Sequence, residues 1–388
     1  MDAMGMELQE QSRAWVRLWR RRGELAALVA ETCPTGPKRV LFTGCGDCHA
    51  AAEYGEGFLR WRSDLPVRGL PAMELSRART HLLGPGTLLI ALSVSGRTPR
   101  VLEAAALAQS RGATVLGVTD DPHGPLARQV PVTFVLGTAP PEALGRTDYR
   151  DPEAARYTGY QRAVPQTKTF GAMQLAVAVA CLHLERFAPA DRGSARSEVE
   201  KQLHSLPRLA ADAEKGGTRA AAHLAERGRP RRRVTFCASG LNASTARYCS
   251  YKLLELSCPA AFSDIEEFCH TQYLVTESGD AVVFLVQDRA CLERALEIVP
   301  VLKEDIGAVV AVLGTIPCGN LSGGFGFPAG EVLPEVSPLV LGCAGAHLVR
   351  HLAASWGFDT DRFRAGIEEE RYVRGSTRII RDSKTWGD

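Results

Sequence analysis

The sequence has no uninterrupted apolar run of roughly 18 residues, so it offers no evident membrane span. Its opening, MDAMGMELQEQSRAWVRLWRRRGELAALVAETC, reads as a helix with a charged face. That stretch lacks the apolar core of a secretion signal, and a cytoplasmic location is expected. An excess of charge is also missing. The formal net charge is only +2, which gives no global field for nucleic acid or an acidic lipid surface. A disulfide framework is absent too. The eleven cysteines are odd in number, scattered, and mostly inside apolar segments, as suits reduced thiols. No G-x-x-x-x-G-K-[ST] loop for a nucleoside triphosphate occurs. GCGDCH supplies Gly44 and Gly46, but His49 stands where a dinucleotide fingerprint needs its third glycine. Cys45 and Cys48 have no second pair to complete a zinc site, and the E-x-x-H spacing of Glu267 and His270 stands alone. No metal or cofactor is implied.

What is present is a long chain with much to bury. At 388 residues and 45% hydrophobic composition, about two domains are expected. Strand-like runs alternate with helix-like runs: RVLFTG, a helix at about 47–60, PVRGLPAMEL, TLLIALSV, a helix at 99–111, GATVLGVTD and PVTFVLG. The alternation predicts βαβ units and a mainly parallel sheet, and continuously apolar strands predict cover on both faces. A second copy follows. RVLFTGCGDCHAAAEYG from Arg39 and RVTFCASGLNASTARYC from Arg233 share Arg39/Arg233, Val40/Val234, Phe42/Phe236, Gly46/Gly240, Ala52/Ala246 and Tyr54/Tyr248. A long-period duplication of a whole α/β domain accounts for this, the alternative being chance likeness of two α/β units. Between the copies, TKTFGAMQLAVAVACLHLERF is apolar nearly all round and predicts a buried helix. The polar, amphipathic stretch after it reads as a helical connector, and RGRPRRR as a solvated turn or a phosphate- or RNA-binding patch. The long polar segment PPEALGRTDYRDPEAARYTGYQRAVPQ has the size of a functional loop.

The most informative stretch is ALSVSGRTPR, residues 91–100, where three hydroxyls and a glycine follow a buried strand and precede a helix. At such a junction several backbone N–H groups point outward unpaired, and the helix dipole adds partial positive charge. An anion fits there, phosphate above all. Ser93, Ser95 and Thr98 supply further donors, Gly96 allows close approach of the backbone, and Pro99 suits a first helical turn. An ordinary helix cap is the plainer reading, but it needs one hydroxyl, not three. With no lysine in the loop and no metal motif, the expected ligand is a small phosphorylated metabolite anchored by its phosphate.

Ser-Val-Ser-Gly-Arg-Thr followed by AAALAQSRGATVLGVTD resembles the sugar isomerase (SIS) domain, which binds phosphosugars. Two such domains in tandem resemble the isomerase half of glucosamine-6-phosphate synthase, over roughly residues 30–365. The resemblance implies an α/β fold of two tandem doubly wound, flavodoxin-like SIS domains with parallel sheets. An N-terminal helix would occupy 1–34, the first domain 35–190, the connector 191–229, the second domain 230–365 and a tail 366–388. It further implies that Ser93, Val94, Ser95, Gly96 and Thr98 hold the phosphate. Cys45, Gly46 and Asp47 of TGCGDC, with Val164 and Gln166 of AVPQTKTF, would face the sugar. YKLLELSC resembles the helix with the family's catalytic glutamate, at Glu255, and EEFCH the segment with its ring-opening histidine, at His270. In the relatives that histidine reaches a neighbouring subunit, which implies a homodimer.

There are departures from the pattern. Arg97 replaces a residue that is usually small, polar or acidic, and Asp47 and Gln166 replace hydroxyl residues. Lys384 is the sole candidate for the family's imine-forming lysine, in a tail that does not match the motif. No glutamine-hydrolysing domain is expected ahead of the repeat. The second copy has VQDRAC where the first has SVSGRT, so one phosphate cradle per chain is expected.

From the residues alone, Glu255 reads as the partner of Lys252 in a surface pair worth a few tenths of a kcal/mol. Ser244, Tyr248, Tyr251 and Glu255 share one helix face by spacing, which would shield the carboxylate and raise its pKa. His270 alone reads as a solvated histidine. Cys45-Gly46-Asp47-Cys48 is a CxxC between strand and helix, the setting of a redox pair, where a helix N-terminus would lower a thiol pKa. The second copy lacks it. The function expected is interconversion of aldose and ketose phosphates, or isomerisation or deamination of an aminosugar phosphate. The rival is a non-catalytic phosphosugar-binding regulator.

Overall fold

The computed structural model describes residues 2–138, 165–230, 232–318, 323–326, 332–361, 371–372 and 379–380. They fall mainly into two compact units, one of residues 14–138 and 168–193, the other of residues 2–13, 165–167 and 194–361.

The first unit is a five-stranded parallel sheet of β1 (Arg39–Gly44), β2 (Val67–Pro71), β3 (Thr87–Leu92), β4 (Thr114–Thr119) and β5 (Val132–Val135), in the order β2-β1-β3-β4-β5. The central pairing sets Thr43 of β1 beside Ala91 of β3. All six residues of β3 are buried, as the run TLLIAL predicts for a strand covered on both faces. On one face Leu89, Ala91 and Val115 pack with Val101, Ala104 and Ala105 of the helix Pro99–Ser110. Helices Arg22–Thr32 and Asp47–Arg62 both pack against Lys168–Leu184. That last helix is buried along its whole length, Lys168 and His183 included. With the turn that follows, it is long and apolar enough to cross a membrane by length and composition, where the sequence offered no such span. Its burial within the unit accounts for its all-round apolar character.

The second unit repeats the strand order. β6 (Val234–Cys237), β7 (Ala260–Ser263), β8 (Ala281–Val286), β9 (Val309–Gly314) and β10 (Gly324–Gly326) form a parallel sheet ordered β10-β9-β8-β6-β7. Residues that align between the halves hold equivalent places. Phe42 and Phe236 are fully buried, and Gly46 and Gly240 both have positive φ, +56° and +62°.

Two elements depart from expectation. The N-terminal segment is two helices, Ala3–Arg20 and Arg22–Thr32, because Arg21 leaves helical geometry and ties its guanidinium to Glu24 and to the Val135 carbonyl. The stretch read as a connector forms helices Arg196–His204 and Leu206–Arg227, and the latter packs on Ser337–Ser355 within the second unit. The approach is so close that a Cβ on Gly217 would lie 2.1 Å from the Ala344 carbonyl oxygen. Two facing backbones cannot yield as a side chain can. Gly217→Ala is therefore expected to lower stability by about 1–3 kcal/mol, read as a lower urea midpoint.

Candidate functional site

In a doubly wound sheet the crevice opens where neighbouring strands send their connections to opposite faces, beyond the carboxyl ends. In the first unit that point lies between β1 and β3, so the turn at 45–47 and the loop at 93–98 leave side by side. The loop is braced from β4. Thr119 Oγ1 and the Asp120 N–H donate to the Val94 carbonyl at 3.0 and 2.8 Å, and the Leu126 N–H donates to the Gly96 carbonyl at 2.9 Å. Gly96 sits at φ +63°, where a side chain would be strained and would press on Thr119 Oγ1 at 3.0 Å.

This fixed loop presents its hydroxyls to the start of Pro99–Ser110. Thr98 is the N-cap residue, but its side chain makes no capping bond. Its hydroxyl instead meets Ser93 Oγ at 3.0 Å. Ser93 is 1% exposed and so sets the direction of the Thr98 hydroxyl from beneath. Ser95 Oγ accepts the Arg97 N–H at 3.2 Å, which leaves its own proton to donate. Ser95 and Thr98 are half-exposed. Arg97, the departure from the family pattern, carries its guanidinium to Asp121, 2.9 Å away. An uncapped helix start, two presented hydroxyls and a braced turn are groups that can receive an anion. Ser95→Ala and Thr98→Ala are each expected to weaken sugar-phosphate binding by about 1–3 kcal/mol in calorimetry, the worth of a lost hydrogen bond to a charged group.

Beside it, Gly46 begins the helix Asp47–Arg62, again with no side-chain cap. Cys45 and Gly46 are exposed and Asp47 is half-buried. The atoms packed round the Cys45 sulfur raise its thiol above the ordinary value, outweighing a backbone hydrogen bond at Ala72 and the charge of Arg100. A helix N-terminus was expected to lower it, so the redox reading loses its activated thiol. Cys48, the other member, is buried, and both are free cysteines.

The equivalent point of the second unit is already filled. Asp288 caps the helix Arg289–Pro300, accepting the Cys291 N–H at 2.8 Å. Asn242 donates to Gln287 at 3.0 Å and to Ser337 at 2.7 Å, closing the turn with protein groups. A carboxylate of the chain occupies the place an anion would take.

The remaining candidates belong to the second unit or lie outside the described residues. Gln166 is half-buried, whereas Val164 and Lys384 are not among the described residues, nor is most of the long segment 140–166. Glu255 ends the helix Ala243–Glu255, which runs from the carboxyl end of β6 back to the amino ends of the strands, where the Val234 N–H donates to the Pro259 carbonyl at 3.0 Å. Its partner is Lys252, Nζ to Oε2 2.6 Å. This is no surface pair: Lys252 is 1% exposed and its ammonium lies 5.5 Å from the Tyr248 ring centre. Spacing alone pairs the two residues, whereas the burial of the lysine comes from tertiary packing. Ser244 and Tyr248 are buried as fully as the opposite face, so the expected polar face is a packed one. His270 follows β7. It closes the short helix Ile265–His270, which Asp264 caps just after β7, and its side chain is 68% exposed beside Glu266 at 3.3 Å.

Residues 35–148 match the SIS domain family. The glutamine–fructose-6-phosphate aminotransferase [isomerizing] of Thermus thermophilus is 26% identical over 281 residues, 72% of this chain and 43% of that protein. The chain thus spans about half the length of such relatives or less. Its fold matches the C-terminal domain of the glucosamine–fructose-6-phosphate aminotransferase of Francisella tularensis with a TM-score of 0.75 at 18% identity, covering 93% of this chain and 98% of that one. It matches the tagatose-6-phosphate ketose/aldose isomerase of Escherichia coli at 0.73 and 18% identity, over 94% and 96% of the two chains. The SIS match thus covers the first unit's sheet, and the likeness to the isomerizing aminotransferases extends over most of the chain.

Proposed function

We propose that this chain is a phosphosugar isomerase that interconverts aldose and ketose phosphates. The observation that carries the reading is the hydroxyl loop Ser93–Thr98, rigid and uncapped at a helix start beside the turn at Cys45–Asp47. Phosphate anchored there leaves the sugar's reactive carbons free to reach a base. Glu255 is that base. It takes the proton from the carbon next to the carbonyl, the electron pair becomes the double bond of a cis-enediol, and the carbonyl oxygen gains a proton. Return of a proton to the neighbouring carbon, with loss of the other hydroxyl proton, completes the exchange without oxidant or cofactor. The substrate arrives as a ring, and His270 of a second subunit moves the proton between the anomeric hydroxyl and the ring oxygen. The His270 side chain is 68% exposed and so is open to a second subunit, which supports a homodimer. The names of the relatives agree, one an isomerizing fructose-6-phosphate aminotransferase and one fold neighbour a ketose/aldose isomerase.

The ion pair of Glu255 with buried Lys252 favours a second reading, a phosphosugar binder without catalysis, because the ammonium already engages the carboxylate. Incubation with candidate sugar phosphates in D2O separates the two. Isomerisation through an enediol places deuterium on carbon in exchange for hydrogen. Binding with no exchange across a panel of ketose and aldose phosphates would leave the binder.

A further inference from the structure

The amino ends of β1 and β2 frame a cleft of about 250 Å³ on the side of the first sheet away from the hydroxyl loop. Arg39, Arg60 and Arg68 line it, over an apolar floor of Leu65, Val67 and Leu82. Among the described residues no carboxylate lines it. The neighbouring cleft, on the other side of Arg68, sets Glu56 and Glu74 against Arg68, Arg79 and His81 and is close to balanced. Arg60 and Arg68 share one carboxylate, Glu56, at 2.6 and 3.2 Å. Arg39 is half-buried, and among the described residues its side chain bonds only the Leu82 carbonyl, at 3.0 Å. Three guanidinium groups thus face one carboxylate, and the least exposed of them has none. Guanidinium forks suit phosphate oxygens, and they bind most strongly where one side of the site is dry.

We propose that this cleft is a second anion site, which takes the phosphate or diphosphate group of a small organic phosphate and seats its apolar part on Leu65, Val67 and Leu82. It is separate from the cradle. Arg39 opens β1 and Gly44 closes it, a span of about 17 Å at strand rise, so one ligand of sugar-phosphate size does not reach both.

The test uses the full chain with Ser95→Ala and Thr98→Ala together, to remove the cradle, and inorganic pyrophosphate as the probe. Calorimetry is expected to show pyrophosphate still binding. Adding Arg39→Gln or Arg68→Gln is expected to weaken it about tenfold each, the scale of one lost charge-assisted bond. Phenylglyoxal labelling mapped by mass spectrometry gives a readout by position, in which saturating pyrophosphate shields Arg39, Arg60 and Arg68. Arg68 is 57% exposed, so its substitution tests the site without disturbing the core. Loss of all pyrophosphate binding with the cradle would overturn the proposal. So would unchanged labelling of the three arginines, or unchanged affinity in both arginine variants. None of these results bears on catalysis at the cradle.

Discussion

Glu255→Gln is expected to lower the rate of proton exchange on a sugar phosphate by about 10²–10⁴, with KM little changed. A general base acts on the substrate mainly in the transition state, so its loss falls on turnover. The glutamine keeps an oxygen that can accept from Lys252, 2.6 Å from the native carboxylate. It does not keep the countercharge. Removing one partner of a buried pair costs about 3–5 kcal/mol, and Lys252 is buried while Glu255 is half-buried, so a smaller loss of stability accompanies the kinetic one. Circular dichroism melting keeps the two apart. A folded Glu255→Gln protein that exchanges deuterium at nearly the native rate would move the base to another residue.

The second large effect is the restoration of activity on mixing inactive proteins. The His270 side chain is 68% exposed, and in the proposed dimer it serves the partner's site. Glu255→Gln and His270→Ala homodimers are each expected to turn over cyclic substrate poorly. Mixed and allowed to exchange subunits, they form hybrids in which one site combines an intact glutamate with an intact histidine, and part of the activity returns. An open-chain substrate analogue bypasses ring opening and so restores His270→Ala on its own. Histidine suits the step because an imidazole carries both a proton donor and a proton acceptor. Subunit exchange verified by mass spectrometry, with no gain in activity, would show that His270 does not complete a partner's site.

Much of the fold was legible because the physics that sets it is local. The run TLLIAL has no polar alternation, and β3 is buried on both faces. The helix Lys168–Leu184 is apolar all round and is enclosed all round. The hydroxyl loop was legible for the same reason, since a strand end, a Gly at positive φ and a Pro at a helix start are consecutive in the chain. What was hidden depends on contacts far apart in sequence. Thr119 and Asp120, which fix the loop from β4, are some two dozen positions from the atom they hold. Spacing of three residues puts Lys252 beside Glu255, but nothing in the spacing says that tertiary packing buries the lysine. The Cys45 thiol was misjudged because the helix start was weighed and the crowding round the sulfur was not. The helices from Arg196 to Arg227 looked like a connector because their polar faces dominate the composition. Their small residues Gly216, Gly217, Ala220 and Ala221 are buried together with Leu206, Leu209 and Leu224.

The central claim is that the loop Ser93–Thr98 grips a phosphate carried by a sugar. Calorimetric titration of the wild-type chain with one hexose 6-phosphate and with the same unphosphorylated hexose tests it most directly. The account predicts that the phosphate ester binds and the free sugar does not measurably bind, and that Ser95→Ala with Thr98→Ala removes most of the difference. Equal affinity for the two sugars, or a preference for the ester that survives both substitutions, would contradict it.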